Sequence, residues 1–159
     1  MSAPLLPTVE IEPERDADAA VIWLHGLGAD GQDFVPAVPH LGLPSSHRIR
    51  FVFPTAEAIP VTINAGMVMP AWYDIRDLDL GAEGRADDGG LVTSVARVRD
   101  LVAREVQRGI ATERIVLAGF SQGGAVAIEL ALTHPEPLAG LVALSTYLVN
   151  PQRIEAQHA

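Results

Sequence analysis

The sequence predicts an α/β fold built on a mostly parallel central sheet with helices on both faces. Three observations carry this reading: four short apolar runs spaced along the chain, helical patterns between the later ones, and glycine-rich turns where two of the runs end. Strands that alternate with helices form parallel sheets covered on both sides, so their strands read as continuous apolar runs.

Taken in order, Thr8 to Glu12 alternates apolar and polar side chains, as an edge strand does, before the charged turn Pro13-Glu14-Arg15-Asp16. Ala19-Ala20-Val21-Ile22-Trp23-Leu24 is a buried strand broken by His25-Gly26-Leu27-Gly28. A short helix is expected around Gln32 to Val38, limited by Pro36 and Pro39, and Arg50-Phe51-Val52-Phe53 forms the next strand, stopped by Pro54. From Pro54 to Asp88 no period is sustained, and so long an irregular stretch in a compact domain is usually functional or mobile. Leu91, Val95, Val98, Val102 and Val106 then fall on one helical face, with Arg97, Arg104 and Arg108 largely elsewhere. Asp87 or Asp88 can cap that helix, and Gly109-Ile110 fits a left-handed carboxyl-terminal cap. Strand Ile115 to Ala118, helix Gly123 to Thr133 and strand Ala139 to Leu144 complete the alternation.

The turn joining the third run to its helix is Gly119-Phe120-Ser121-Gln122-Gly123. Gly-x-Ser-x-Gly arises by chance in about one chain of this length in twenty, taking usual Gly and Ser frequencies. Between a buried strand and a helix it reads as a nucleophile elbow, with Ser121 as the candidate catalytic nucleophile. The bland alternative is a glycine turn for close strand–helix packing. The backbone N–H groups of Leu27 and Gln122 are the candidate oxyanion donors, since His25-Gly26-Leu27-Gly28 has the form of a loop that lends an N–H to a developing negative charge. His25 tempts as a general base, but a histidine at this position reads better as a brace for the loop. His134 follows Ser121 by thirteen residues, mostly helical, hence about 19 Å away. Glu155 and His158 stand in the order serine, acid, histidine on a polar tail expected to fray. Trp72 and Tyr73, in Met69-Pro70-Ala71-Trp72-Tyr73-Asp74, either wall an acyl pocket or pin the loop to the core. The acidic string Asp74, Asp77, Asp79, Glu83, Asp87 and Asp88 lacks the spacing of a calcium loop and reads as a solvated loop and helix cap, with no metal.

Composition narrows the function classes. With 159 residues, 48% of them hydrophobic, the chain is read as one domain, 1–159. Twenty acidic against 11 basic residues argue against nucleic acid as a partner. Without cysteine, disulfides, thiolate metal sites and cysteine nucleophiles are excluded. No basic flank and apolar signal core open the chain, and no apolar stretch approaches the roughly 20 residues of a membrane span, so a cytoplasmic protein is expected.

Four ordered segments, Leu24-His25-Gly26-Leu27-Gly28-Ala29-Asp30-Gly31, Ala71-Trp72-Tyr73-Asp74-Ile75, Gly119-Phe120-Ser121-Gln122-Gly123-Gly124 and Leu144-Ser145-Thr146-Tyr147, resemble the phospholipase/carboxylesterase family, which includes acyl-protein thioesterases and small bacterial carboxylesterases. The resemblance implies an α/β-hydrolase fold, hydrolysis of short or medium acyl esters or thioesters through an acyl-enzyme on Ser121, no cofactor, and an exposed site without a large lid. Members of that family continue through further strands that carry the catalytic aspartate and histidine. The triad is therefore not carried over beyond Ser121, the last strands are expected to be absent, and the domain is read as incomplete at its carboxyl terminus. The alternatives are a noncatalytic fragment or binding module that keeps the acyl pocket, and an assembly protein or homodimer whose bare sheet edge pairs with a second chain.

Overall fold

A computed structural model describes residues 3–159. Among these residues seven strands and three α-helices follow one another as β1 (Thr8–Ile11), β2 (Ala19–Leu24), β3 (Ile49–Pro54), β4 (Ala58–Val61), β5 (Met67–Pro70), α1 (Asp88–Gln107), β6 (Ile115–Phe120), α2 (Gln122–Thr133), β7 (Gly140–Leu144) and α3 (Pro151–His158). Five strands form the main sheet in the order β1-β3-β2-β6-β7, antiparallel only where β1 meets β3. The apolar runs thus become the parallel centre, and the alternating segment Thr8–Ile11 becomes the edge. Register is specified because a one-residue slip would turn each strand's core side chains to the wrong face.

Alternation along the strands divides the core in two. Ile22, Leu24, Val52, Ile115 and Leu117 face α1 and α2, where they meet Leu91, Val98, Leu101, Val102, Val126 and Leu130. Trp23, Phe51, Phe53 and Ala118 face the other way, against Phe34, Val35 and Val38. Trp23 stacks on Phe34 at 5.0 Å between ring centroids. Each fully buried Leu, Ile or Val contributes about 1.5–3 kcal/mol. The expected short helix on this second face is a 3₁₀ segment, Val35–Leu41, because Pro36 and Pro39 lack the N–H groups a longer α-helix needs.

Helix α1 ends as its sequence suggests. Gly109 adopts φ +94°, its N–H donates to Val106 O, and Ile110 N–H donates to Glu105 O, which together make a Schellman cap. Arg104 and Arg108, at the carboxyl-terminal end of α1, serve as tethers. Glu105 is fully buried and accepts from Arg50 Nη1 at 2.7 Å, while Arg104 and Arg108 reach both Glu105 and Glu10. The Arg108 hydrogen bond, opposed by burial and aided by Arg104, holds the Glu10 carboxyl below its ordinary value. The edge strand β1 is thereby fastened to the helix across the sheet.

The stretch from Pro54 to Asp88 is more ordered than its lack of period suggests. It holds the antiparallel hairpin β4–β5, whose tip turns through Ala65 at φ +56° and Gly66 at φ +76°. Gly28 N–H donates to Pro70 O, so the hairpin docks on the turn that follows β2. The carboxyl-terminal tail also differs from expectation: it is the helix α3, capped and tethered. Asn150 caps it by accepting from Arg153 N–H at 3.0 Å, Pro151 occupies its first turn, and Arg153 forms a two-pronged pair with Glu129 of α2 at 2.8 Å. Among the described residues no helix is long and apolar enough to cross a membrane.

Candidate active site

Ser121 lies between β6 and α2 with φ +51° and ψ −117°, a conformation rarely adopted by a residue with a side chain. Its backbone is held from three directions. The N–H donates to Leu144 O at 2.9 Å, and the carbonyl accepts from Ala125 N–H at 3.1 Å and from the Thr146 hydroxyl at 2.6 Å. The glycines around it are required by space. A Cβ on Gly119 would lie 2.5 Å from Gly123 O, and one on Gly123 would press into the carbonyls of Leu24 and His25. A Cβ on Gly124 would meet the side chain of Thr146.

Among the described residues neither the Leu27 nor the Gln122 N–H donates a hydrogen bond. Gln122 N–H is also one of the orphan donors of the first turn of α2, where the helix dipole favours negative charge.

His25 is fully buried at the end of β2 and both of its ring nitrogens are engaged. Nδ1–H donates to Gly26 O at 2.6 Å, and Nε2 accepts from Ala56 N–H at 3.0 Å. The geometry is that of the brace. Burial, only partly offset by the Gly26 hydrogen bond, holds its pKa below the ordinary 6.5. The unfolded chain therefore takes up a proton near pH 6.5 that the folded imidazole refuses, so this contribution to stability is complete above 6.5 and lost as pH falls towards the folded value. The His25 Cε1–H resonance is expected to titrate below pH 6.5, with a urea midpoint that declines as pH is lowered through that value. Titration at or above 6.5 would contradict a buried neutral brace.

The Ala71–Ile75 segment is pinned in place. Trp72 is 2% and Tyr73 0% exposed. The Trp72 indole N–H donates to His25 O at 2.9 Å, and the Trp72 backbone N–H donates to Gln122 Oε1 at 2.8 Å. Gln122 Nε2 returns a bond to Tyr73 O at 2.6 Å, and the Tyr73 and Tyr147 hydroxyls lie 2.6 Å apart. Of the two readings of Trp72 and Tyr73, burial and bonding favour the pin. The cavity of about 180 Å³ beside them is lined on its other sides by Leu6, Glu57, Ser94 and Arg97, and Ser121 is not among its lining residues. Asp74, first of the acidic string, accepts from the N–H and hydroxyl of Thr62. Burial pushes its carboxyl up, but these bonds and Arg76 outweigh that and leave it below its ordinary value.

The remaining sequence candidates are not brought to Ser121. His134 closes the far end of α2 and bonds locally to Glu136. His158 Nε2–H donates to Leu132 O, eleven residues along α2 from Ser121 and hence about 16 Å away. Glu155 is exposed on α3. The tail dyad is overturned because α3 packs back along α2. The side chains of Thr146 and Gln122 were not legible as parts of the site, although the Gly123-Gly124 pair signals a close neighbour at that point.

A parallel sheet whose third parallel strand turns through a strained serine into a helix defines an α/β-hydrolase. The profile of the Phospholipase/Carboxylesterase family matches residues 7–159, and the chain belongs to that family. It is 42% identical over 144 residues to acyl-protein thioesterase 1 of Cryptococcus neoformans var. neoformans serotype D, a match covering 90% of this chain and 60% of that protein. Among solved structures it is similar to Arabidopsis thaliana SOBER1, with TM-score 0.80 and 29% identity over 87% of this chain and 66% of that one. Zea mays acyl-protein thioesterase 2 gives TM-score 0.72 and 29% identity over 95% and 70%. The chain thus spans about three-fifths of the curated thioesterase's length.

Proposed function

We propose that this chain carries the nucleophile and oxyanion hole of a serine hydrolase that cleaves short or medium acyl carboxylic esters or thioesters. The observation that carries the reading is Ser121, held at φ +51° at the start of α2, with the N–H of Gln122 next in the chain and that of Leu27 in the turn after β2 both without a partner among the described residues. Ser121 Oγ attacks the acyl carbonyl, and the two N–H groups receive the oxygen as it gains charge, each worth about 3 kcal/mol in comparable sites. The alcohol or thiol leaves, and water releases the acyl group from Ser121. His25 is committed to its loop, His134 and His158 lie at the far end of α2, His40 lies in the last turn of the 3₁₀ segment Val35–Leu41 and His47 accepts from Ile49 N–H where β3 begins, so the reading assigns proton transfer to a histidine outside residues 1–159. The likeness to acyl-protein thioesterase 1 supports thioesters as well as esters. The reading needs no cofactor and keeps the enzyme in the cytoplasm.

The test is intact-mass spectrometry of the full-length protein before and after a fluorophosphonate, with Ser121→Ala alongside. One phosphonyl adduct on the unaltered protein and none on the variant is the expected result. An unlabelled protein would leave the noncatalytic module as the better account, and equal labelling of both would move the nucleophile elsewhere.

A further inference from the structure

We infer that Thr146 is a positioning residue for the oxyanion hole, acting through the peptide group that joins Ser121 to Gln122; the inference rests on the reading of Ser121 given above. The carbonyl and the N–H of one peptide unit are rigidly coupled, because the group is planar. Here the carbonyl half belongs to Ser121 and the N–H half to Gln122, so whatever fixes Ser121 O also aims the Gln122 N–H. The Thr146 hydroxyl donates to Ser121 O at 2.6 Å, from a segment distant in sequence, just past the end of β7.

Two effects follow. The first is orientational: Ala125 N–H also bonds Ser121 O at 3.1 Å, but it belongs to the helix that the elbow itself begins, whereas Thr146 ties the same oxygen to a separate segment just beyond the neighbouring strand. The second is electronic: a hydrogen bond to the carbonyl polarises the peptide and strengthens its N–H as a donor. Thr146 is itself set firmly. Its side chain fills the space over Gly124, where a Cβ would come within 2.5 Å of it, and Ser145 before it is held at φ +45°. A threonine there supplies both the hydroxyl and the methyl that the niche accepts.

Removing the hydroxyl should therefore weaken binding of the transition state and leave binding of the ground state alone. In the full-length protein with p-nitrophenyl butyrate, Thr146→Val is expected to lower kcat about tenfold with KM within about twofold. An alkyl trifluoromethyl ketone, which forms a tetrahedral oxyanion on the serine, should lose affinity by the same factor of about ten. Thr146→Ser, which restores the hydroxyl, should stay within about threefold of the unaltered enzyme. If Thr146→Val melts early, Thr146→Ala removes the same bond without a second methyl. Unchanged kcat and ketone affinity in a folded hydroxyl-less variant would overturn the inference, as would a loss in Thr146→Ser equal to that in Thr146→Val. In either case an active, fluorophosphonate-labelled parent would leave the serine reading standing. A parent that neither labels nor hydrolyses would overturn both.

Discussion

Replacing Ser121 with alanine is expected to lower kcat by at least about 10⁴-fold while leaving the fold intact. The nucleophile is lost, and only acceleration from the oxyanion donors and from substrate binding survives. The backbone argument adds a second expectation that catalysis alone would not suggest. At φ +51° and ψ −117° any side chain at this position is strained, and alanine keeps the offending Cβ. Glycine removes it. Ser121→Gly should therefore be as inactive as Ser121→Ala yet more stable by about 1–2 kcal/mol, a melting point a few degrees higher. Calorimetry on the two variants decides the matter: a glycine variant that melts no higher than the alanine variant would mean that the elbow stores no strain.

Alanine at position 123 should be far more damaging to the structure. The added methyl would run into the carbonyls of Leu24 and His25, which are main-chain groups at the end of the central strand β2 and cannot swing aside. A cost of about 3 kcal/mol or more is expected, read as a lower urea midpoint. Any molecule that still folds must push β2 away from α2. That displaces the Leu27 turn from Gln122, so activity should be lost in the folded fraction too. Gly140→Ala is the matched control, since nothing lies within 4 Å of the Cβ it would add. A Gly123→Ala protein as stable and active as that control would refute the packing argument.

Much of this arrangement is legible in the amino-acid sequence. The strands at 19–24, 49–54 and 115–120 announce themselves because burial on both faces favours apolar residues, Arg50 apart, 140–144 does so as an apolar run although its Leu141 and Val142 are exposed, and the elbow because its glycines have no substitute. What escaped notice has physical reasons. The β4–β5 hairpin is four residues a side, with Met67 and Val68 exposed, so no alternation marks it; it is held by its own pairing and by Gly28 on Pro70 O. Helix α3 looked like a polar tail because its attachment is ionic, through Arg153 and Glu129, although Asn150-Pro151 is a good start signal. Trp72 and Tyr73 could not be assigned from sequence, since a pocket wall and a pin use the same aromatic residues. The bonds from the Gln122 side chain to this segment fifty residues away favour the pin, while both residues also border the adjoining cavity.

Leu144 O, at the end of β7, receives the amide of Ser121, so the strained turn is anchored to the strand beside its own. Backbone amides held between neighbouring strands exchange with solvent when that pairing opens locally. Hydrogen exchange at the Ser121 amide is accordingly expected to follow separation of the end of β6 from β7, which makes that one proton a reporter of how long the elbow keeps its shape.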